Sequence, residues 1–297
     1  MNRPQTLELK TTLGRLAGLS WRNAEAPRVL CLHGWLDNAA SFVPLAPQLA
    51  PLNLVALDLP GHGHSEHRHS TTRYHFIDYV FNVEAALDAL GWDDCHLLGH
   101  SLGAAIAAAY AAGVPDRVRS LTMLDALGPI STTAEGTADR LRRSIIKNRR
   151  GPGKSRHFET VEDMVAARTA ASGIPAEAAQ LLCERAAKRV GEHYEWRSDP
   201  ALNWISSLIM TDEQALDLIA HIEAPALTLI FTKDSPWVSR EKREARVRAL
   251  SHGRFELIEG DHHLHMIEPE KIAGLIQQFI HGNDRPPRKG KDHEHAQ

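Results

Sequence analysis

Cysteine is scarce in this chain: Cys31, Cys95 and Cys183 are the three among 297 residues. They are far apart, odd in number and set in apolar or helical contexts, which excludes a disulfide framework and a metal knuckle. Such usage fits a reducing, cytoplasmic-type compartment. No apolar run approaches the length of a membrane span. The opening residues Met1-Asn2-Arg3-Pro4-Gln5 lead into polar sequence without the apolar centre of a signal peptide. An excess of one charge is also missing: 34 Lys and Arg face 37 Asp and Glu, a net −3. Nothing global therefore attracts nucleic acid or an anionic membrane. There are no internal repeats. What remains is an ordinary soluble composition, long enough to bury a large core with or without an insertion.

Alternation of elements is the first positive signal. Residues 6–12 and 15–22 read as two short strands joined at Gly14, an antiparallel opening ribbon. Val29-Leu30-Cys31-Leu32, Leu54-Val55-Ala56-Leu57, Cys95-His96-Leu97-Leu98 and Leu121-Thr122-Met123-Leu124 are short, mostly apolar runs suited to parallel strands buried on both faces. Residues 41–49 have helical spacing, confined to a short or bent segment by Pro44 and Pro47. Residues 79–90 carry the apolar stripe Val80, Val83, Ala86, Leu87 and Leu90. This order predicts a parallel sheet with right-handed crossovers.

From Gly128 the rhythm changes to helical patterns with no convincing strand. The best helices there are residues 163–171, 176–190 and 211–222, the last opened by a capping box of Thr211 and Gln214. Strand rhythm returns at residues 226–231 and 255–258, with helices at 240–250 and 272–280. The expected division is a core at 1–127, a helical lid at 128–222, the rest of the core at 223–282, and a disordered polar tail at 283–297 carrying Pro286-Pro287.

Gly99-His100-Ser101-Leu102-Gly103 follows one apolar strand and opens an alanine-rich helix. It reads as a nucleophile elbow, where a serine takes a strained conformation and flanking glycines let strand and helix pack closely. The hydroxyl then lies near the positive end of the helix, where free N–H groups stabilise developing negative charge.

Four motifs now stand in one order: His33-Gly34-Trp35, Asp58-Leu59-Pro60-Gly61-His62-Gly63-His64-Ser65, the elbow, and Gly260-Asp261-His262 followed by residues 265–270. With them the chain resembles the α/β-hydrolase fold over residues 6–280, in its capped version, and looks closest to the serine-hydrolase-like branch. The resemblance implies an α/β architecture: a mostly parallel central sheet flanked by helices, with an inserted helical cap. It also implies a Ser-His-Asp set with Ser101 as nucleophile. The base falls in the histidine turn, and aligning His265-Met266-Ile267-Glu268-Pro269 with the family's downstream stretch puts it at His262, with His263 the alternative in register. The acid falls at Asp234, after the strand at 226–231, with Asp125 its competitor; Phe231 stands where the family usually has glycine. Backbone N–H groups of Trp35 and Leu102 would form the oxyanion hole.

The implied activity is hydrolysis of small or medium acyl esters through an acyl-enzyme, without cofactor or metal. Thioesterase, lactonase and carbon–carbon hydrolase chemistry share the same triad, and a non-catalytic ligand-binding member of the fold is the alternative from another class. The expected partner is a small ester-like molecule, neither nucleic acid nor membrane; the sequence sets no oligomeric state. Two features are discounted. His62, His64, His67 and His69 recur at short spacing but form no clear pair of ligand sets. The basic stretch Arg140, Arg142, Arg143, Lys147, Arg149, Arg150, Lys154 and Arg156 reads as a solvated surface, with steering of an anionic substrate, or contact with nucleic acid or acidic lipid, as the other reading.

Overall fold

The computed structural model describes residues 3–69, 72–149, 151, 153, 156–231 and 238–284. The opening ribbon is β1 (Gln5–Thr11) and β2 (Gly14–Trp21), paired antiparallel. There follow β3 (Arg28–Leu32), β4 (Asn53–Asp58), α1 (Phe76–Leu90), β5 (Cys95–His100), α2 (Leu102–Gly113) and β6 (Val118–Leu124). The inserted region carries β7 (Ser131–Thr132), α3 (Thr137–Asn148), α4 (Val161–Ser172), α5 (Ala176–Ala186), β8 (Ala187–Val190), β9 (His193–Trp196), β10 (Met210–Thr211) and α6 (Asp212–Ala220). The sheet resumes with β11 (Ala226–Ile230), then α7 (Arg240–Ala249), β12 (Gly253–Leu257), α8 (Leu264–Ile267) and α9 (Glu270–Asn283).

The central sheet has the order β1-β2-β4-β3-β5-β6-β11-β12, parallel from β4 onward. Strand side chains alternate between two cores. Leu30, Leu32, Val55 and Leu57 pack with Val83 and Leu87 of α1 and Ile106 and Tyr110 of α2. Val29, Cys31, Leu54 and Ala56 pack on the other face with Phe42, Leu45 and Leu49, and with Ile272, Ile276 and Ile280 of α9. A period of two divided between two covered faces explains why these strands read as unbroken apolar runs. The chain leaves β3 first for β4 on one side and later for β5 on the other. Their carboxyl ends therefore flank the crevice where open α/β sheets bind ligands.

Three expectations change in detail. Residues 41–49 form no α-helix: Ala39–Phe42 and Ala46–Leu49 are single 3-10 turns, because Pro44 and Pro47 interrupt backbone donation. The helix expected to run to Val190 stops at Ala186, and Ala187–Val190 turns back on β9 as a hairpin. Gly191 at φ 62 supplies the left-handed residue that the two-residue turn requires. The inserted region also gains α3, absent from the helices read in the sequence. At the far end Asn283 still belongs to α9, and the Asp284 carboxylate pairs with Arg119; residues 285–297 lie outside the described residues. Among the described residues no helix is long and apolar enough to cross a membrane.

Candidate active site

Ser101 follows β5 directly and caps α2, with φ 51 and ψ −113. A non-glycine residue there is strained, and the surroundings hold it in place. Its N–H donates to Leu124 O at 2.9 Å, and its carbonyl accepts from Ala105 N at 3.1 Å. Both glycines of the elbow are required by close approach. A Cβ on Gly99 would lie 2.5 Å from Ala104 Cα, and one on Gly103 would run into the Leu32 carbonyl at the end of β3.

The turn after β3 is built around His33. Its Nδ1–H donates to Gly34 O at 2.7 Å and its Nε2 accepts from Leu59 N at 2.9 Å, so one tautomer links the ends of β3 and β4. Burial holds this ring below its ordinary pKa, which suits an acceptor nitrogen. Asp37 N–H closes the turn on Gly34 O at 3.1 Å, and Leu36 takes φ 61. Trp35, between them, is 49% exposed. Leu102 is the first residue of α2, where backbone N–H groups lack helical acceptors.

The loop after β12 delivers three histidines to different neighbours. His262 Nδ1 lies 2.6 Å from Asp125 Oδ2, and its ring is 35% exposed. A carboxylate only accepts, so Nδ1 carries the proton and a neutral ring keeps its lone pair on Nε2. Asp125 follows β6 with φ 51; its N–H donates to Leu229 O at 2.8 Å, and its Oδ1 accepts from Phe231 N at 2.8 Å. Ser101 and Asp125 thus sit at adjacent strand ends, held by one ladder. Asp234 lies outside the described residues; among those described, Asp125 is the carboxylate that meets His262.

His263 turns inward, its Nε2 3.3 Å from Asp37 Oδ2. His265 is buried, with Nε2 2.7 Å from Ser41 Oγ. His100 donates from Nε2 to His262 O at 2.9 Å, tying the elbow to the histidine loop. Burial pushes His100 down to about 4 despite the nearby Asp37 carboxylate. Burial would raise Asp37, but the His263 ring and the Arg168 guanidinium hold it well below the usual range.

Two arginines of the inserted region reach carboxylates of the core. Arg168 of α4 donates to Asp37 Oδ1 at 2.5 Å. Arg185 of α5 grips Asp58 through Nε, at 3.0 and 3.1 Å, and through Nη2 at 2.7 Å. Asp58 also accepts from Ala39 N and His64 N, and the sum overrides its burial to keep it ionised. Asn38 adds a bond from Nδ2 to Leu182 O at 2.9 Å. The sequence shows Asp37 and Asp58 beside their motifs, but no local signal names Arg168 or Arg185 as partners. The small apolar core around Met164, Leu182 and Cys183 also takes in Met266, one residue past His265.

Two of the discounted histidines bond backbone carbonyls. His62 donates from Nδ1 to Pro60 O at 3.1 Å and is pushed down to about 3 by burial and by neighbouring His33. His67 Nε2 donates to Arg197 O at 2.8 Å. Neither belongs to a cluster that could hold an ion among the described residues. Of the basic stretch, Arg140, Arg142, Arg143 and Lys147 lie on α3 and Arg156 stacks over Phe158 at 4.8 Å, while Arg150 and Lys154 lie outside the described residues.

Comparison with known proteins fits this geometry. A family model for the alpha/beta hydrolase fold matches residues 27–269. A serine hydrolase-like protein of Dictyostelium discoideum is 31% identical over 284 residues, covering 89% of this chain and 78% of that protein. The crystal structure of a hypothetical protein from Pseudomonas aeruginosa PAO1 has a TM-score of 0.87 at 32% identity, covering 93% of this chain and 99% of that one. The thioesterase domain from the curacin biosynthetic pathway shares the fold, with a TM-score of 0.80 at 22% identity over 93% and 99%. A match over most of the chain, with a relative aligned along nearly all of it, makes this protein a member of the alpha/beta hydrolase fold family, in its serine-hydrolase-like branch.

Proposed function

We propose that this protein is a carboxylic ester hydrolase acting on small or medium acyl esters through an acyl-enzyme. Ser101 Oγ attacks the ester carbonyl while His262 Nε2 takes its proton. The tetrahedral oxyanion is held by the N–H groups of Trp35 and Leu102. It collapses as His262 returns the proton to the departing alcohol, leaving the acyl group on Ser101. Water then attacks the acyl carbon, His262 takes its proton, and the acid leaves as the serine is restored. Asp125 fixes the His262 tautomer and stabilises the imidazolium formed in each half-reaction. The observation that carries this reading is the 2.6 Å contact of His262 Nδ1 with Asp125, beside a strained serine elbow. It also favours His262 over His263, whose Nε2 faces Asp37.

The test is a chain-length series of p-nitrophenyl esters on the wild type and Ser101→Ala, with fluorophosphonate labelling mapped by mass spectrometry. Saturable turnover and a single adduct at Ser101, both lost in the variant, are expected. Folded wild type that gives no adduct at probe excess would point instead to a ligand-binding member of the fold.

A further inference from the structure

At the edge of the inserted region, Phe158 and Tyr194 exchange both backbone hydrogen bonds, at 2.9 and 2.8 Å, which adds an isolated antiparallel bridge to the β8–β9 hairpin. That register sets His157 across from Glu195, and His193 lies two residues from Glu195 on the same face of β9. Their side chains converge. His157 Nε2 is 3.0 Å and His193 Nε2 3.4 Å from one oxygen, Glu195 Oε1. The two imidazoles stack with centroids 4.0 Å apart and planes at 21°. All three donor atoms lie within 4.8 Å of one another, on side chains that are 63, 32 and 23% exposed.

We propose that His157, His193 and Glu195 form a divalent transition-metal site, taking Zn²⁺ on two imidazoles and one carboxylate with further positions left to water. A tetrahedral zinc with bonds of about 2.0–2.1 Å needs donor atoms about 3.3–3.4 Å apart, close to the 3.0 and 3.4 Å that already separate the two Nε2 atoms from Glu195 Oε1. Each imidazole turns an Nε2 lone pair to the ion and keeps its proton on Nδ1. Imidazole nitrogen with one carboxylate suits zinc better than magnesium or calcium. The other histidine-carboxylate cluster, Asp37 with His100 and His263, is buried, and Arg168 already neutralises Asp37. A dication there would bring uncompensated charge into the core, whereas the hairpin site offers an anion open to solvent. Zinc at the hairpin staples the segment leading into α4 to β9 and stiffens the edge of the insertion.

Full-length protein stripped with a chelator and titrated with Zn²⁺ alone against a chromophoric zinc indicator tests this. One equivalent binds to this site, and the thermal midpoint rises with zinc. Loss of an outer-shell partner alone typically weakens metal binding about 10–100-fold, so His193→Ala and Glu195→Gln each lose at least about tenfold in affinity. Both partly exposed variants keep the metal-free midpoint and ester turnover. Zinc affinity unchanged in both variants, or absent from the wild type, overturns the assignment.

Discussion

Asp125 and Asp37 lie at the carboxyl edge of the sheet, and each faces a histidine from the same loop, His262 and His263 respectively. Their second oxygens differ. Asp125 Oδ1 accepts a backbone N–H from Phe231. Asp37 Oδ1 takes the Arg168 guanidinium from α4, so its charge is already balanced before His263 approaches at 3.3 Å. The His262 ring is 35% exposed, whereas His263 is buried beneath the insertion. The same residue pair fastens the insertion in one place and, in the proposed mechanism, moves a proton in the other.

The comparison breaks most sharply at Asp125. In Asp125→Asn the amide can still accept from Phe231, but its NH₂ then faces His262 Nδ1 and favours the tautomer with the proton on Nε2. Loss of the correct tautomer lowers kcat by about 10⁴-fold in serine hydrolases of this logic, and a loss of that order is expected here with little change in KM. Asp234→Asn, measured beside it, should leave kcat nearly unchanged; the reverse pattern would move the acid to Asp234. Asp37→Asn should act on stability instead. It leaves the Arg168 cation facing a neutral amide, and breaking a buried pair from one side costs about 3–5 kcal/mol. Urea unfolding should show that loss, while kcat in the folded fraction falls far less than in Asp125→Asn.

Acid separates the two regions by another route. Burial holds His62 down to about 3, and His96 and His100 down to about 4. In the unfolded chain these rings take up protons near the ordinary value of about 6.5, while in the folded protein they stay neutral to much lower pH. Folding therefore weakens as pH falls below about 6.5, by up to about 1.4 kcal/mol per pH unit for each ring, and levels once pH passes the folded values. Asp37 and Asp58, held low when folded, add a loss at still lower pH, beginning near the unfolded carboxylate value. The urea midpoint should drop clearly between about pH 7 and about pH 5. A midpoint that stays level would mean that these histidines are charged inside the fold.

What could be read in the sequence follows the range of the physics involved. The elbow is local: five residues, a strand before and a helix after, with glycines whose absent Cβ atoms are explained by contacts at Ala104 and Leu32. The strands were legible because two covered faces leave little room for polar residues. The contact of Asp125 with His262 was not legible, because the two lie 137 residues apart. The Arg168 and Arg185 anchors were invisible for the same reason, at separations of 131 and 127 residues. The hairpin of β8 and β9 was hidden by helix-compatible residues up to Val190, and Gly191 was its one strong local mark.

The smallest effect sharpens where the insertion ends energetically. Two helices of that region open with the same device, Thr160 with Asp163 on α4 and Thr211 with Gln214 on α6. Ile219 of α6, however, belongs to the main core with α1 and α2, and its Cδ1 would lie 2.7 Å from a Cβ on Gly128. Met164 and Val165 of α4 belong to the small separate core. Removing either cap with alanine costs about 1 kcal/mol locally. In Thr211→Ala that cost should lower the global urea midpoint, because α6 unfolds with the sheet. In Thr160→Ala it should appear first as faster amide exchange within α4, with a smaller change in the global midpoint, because local units open before the whole. Equal midpoint shifts in the two variants would mean that the insertion and the sheet unfold as one unit.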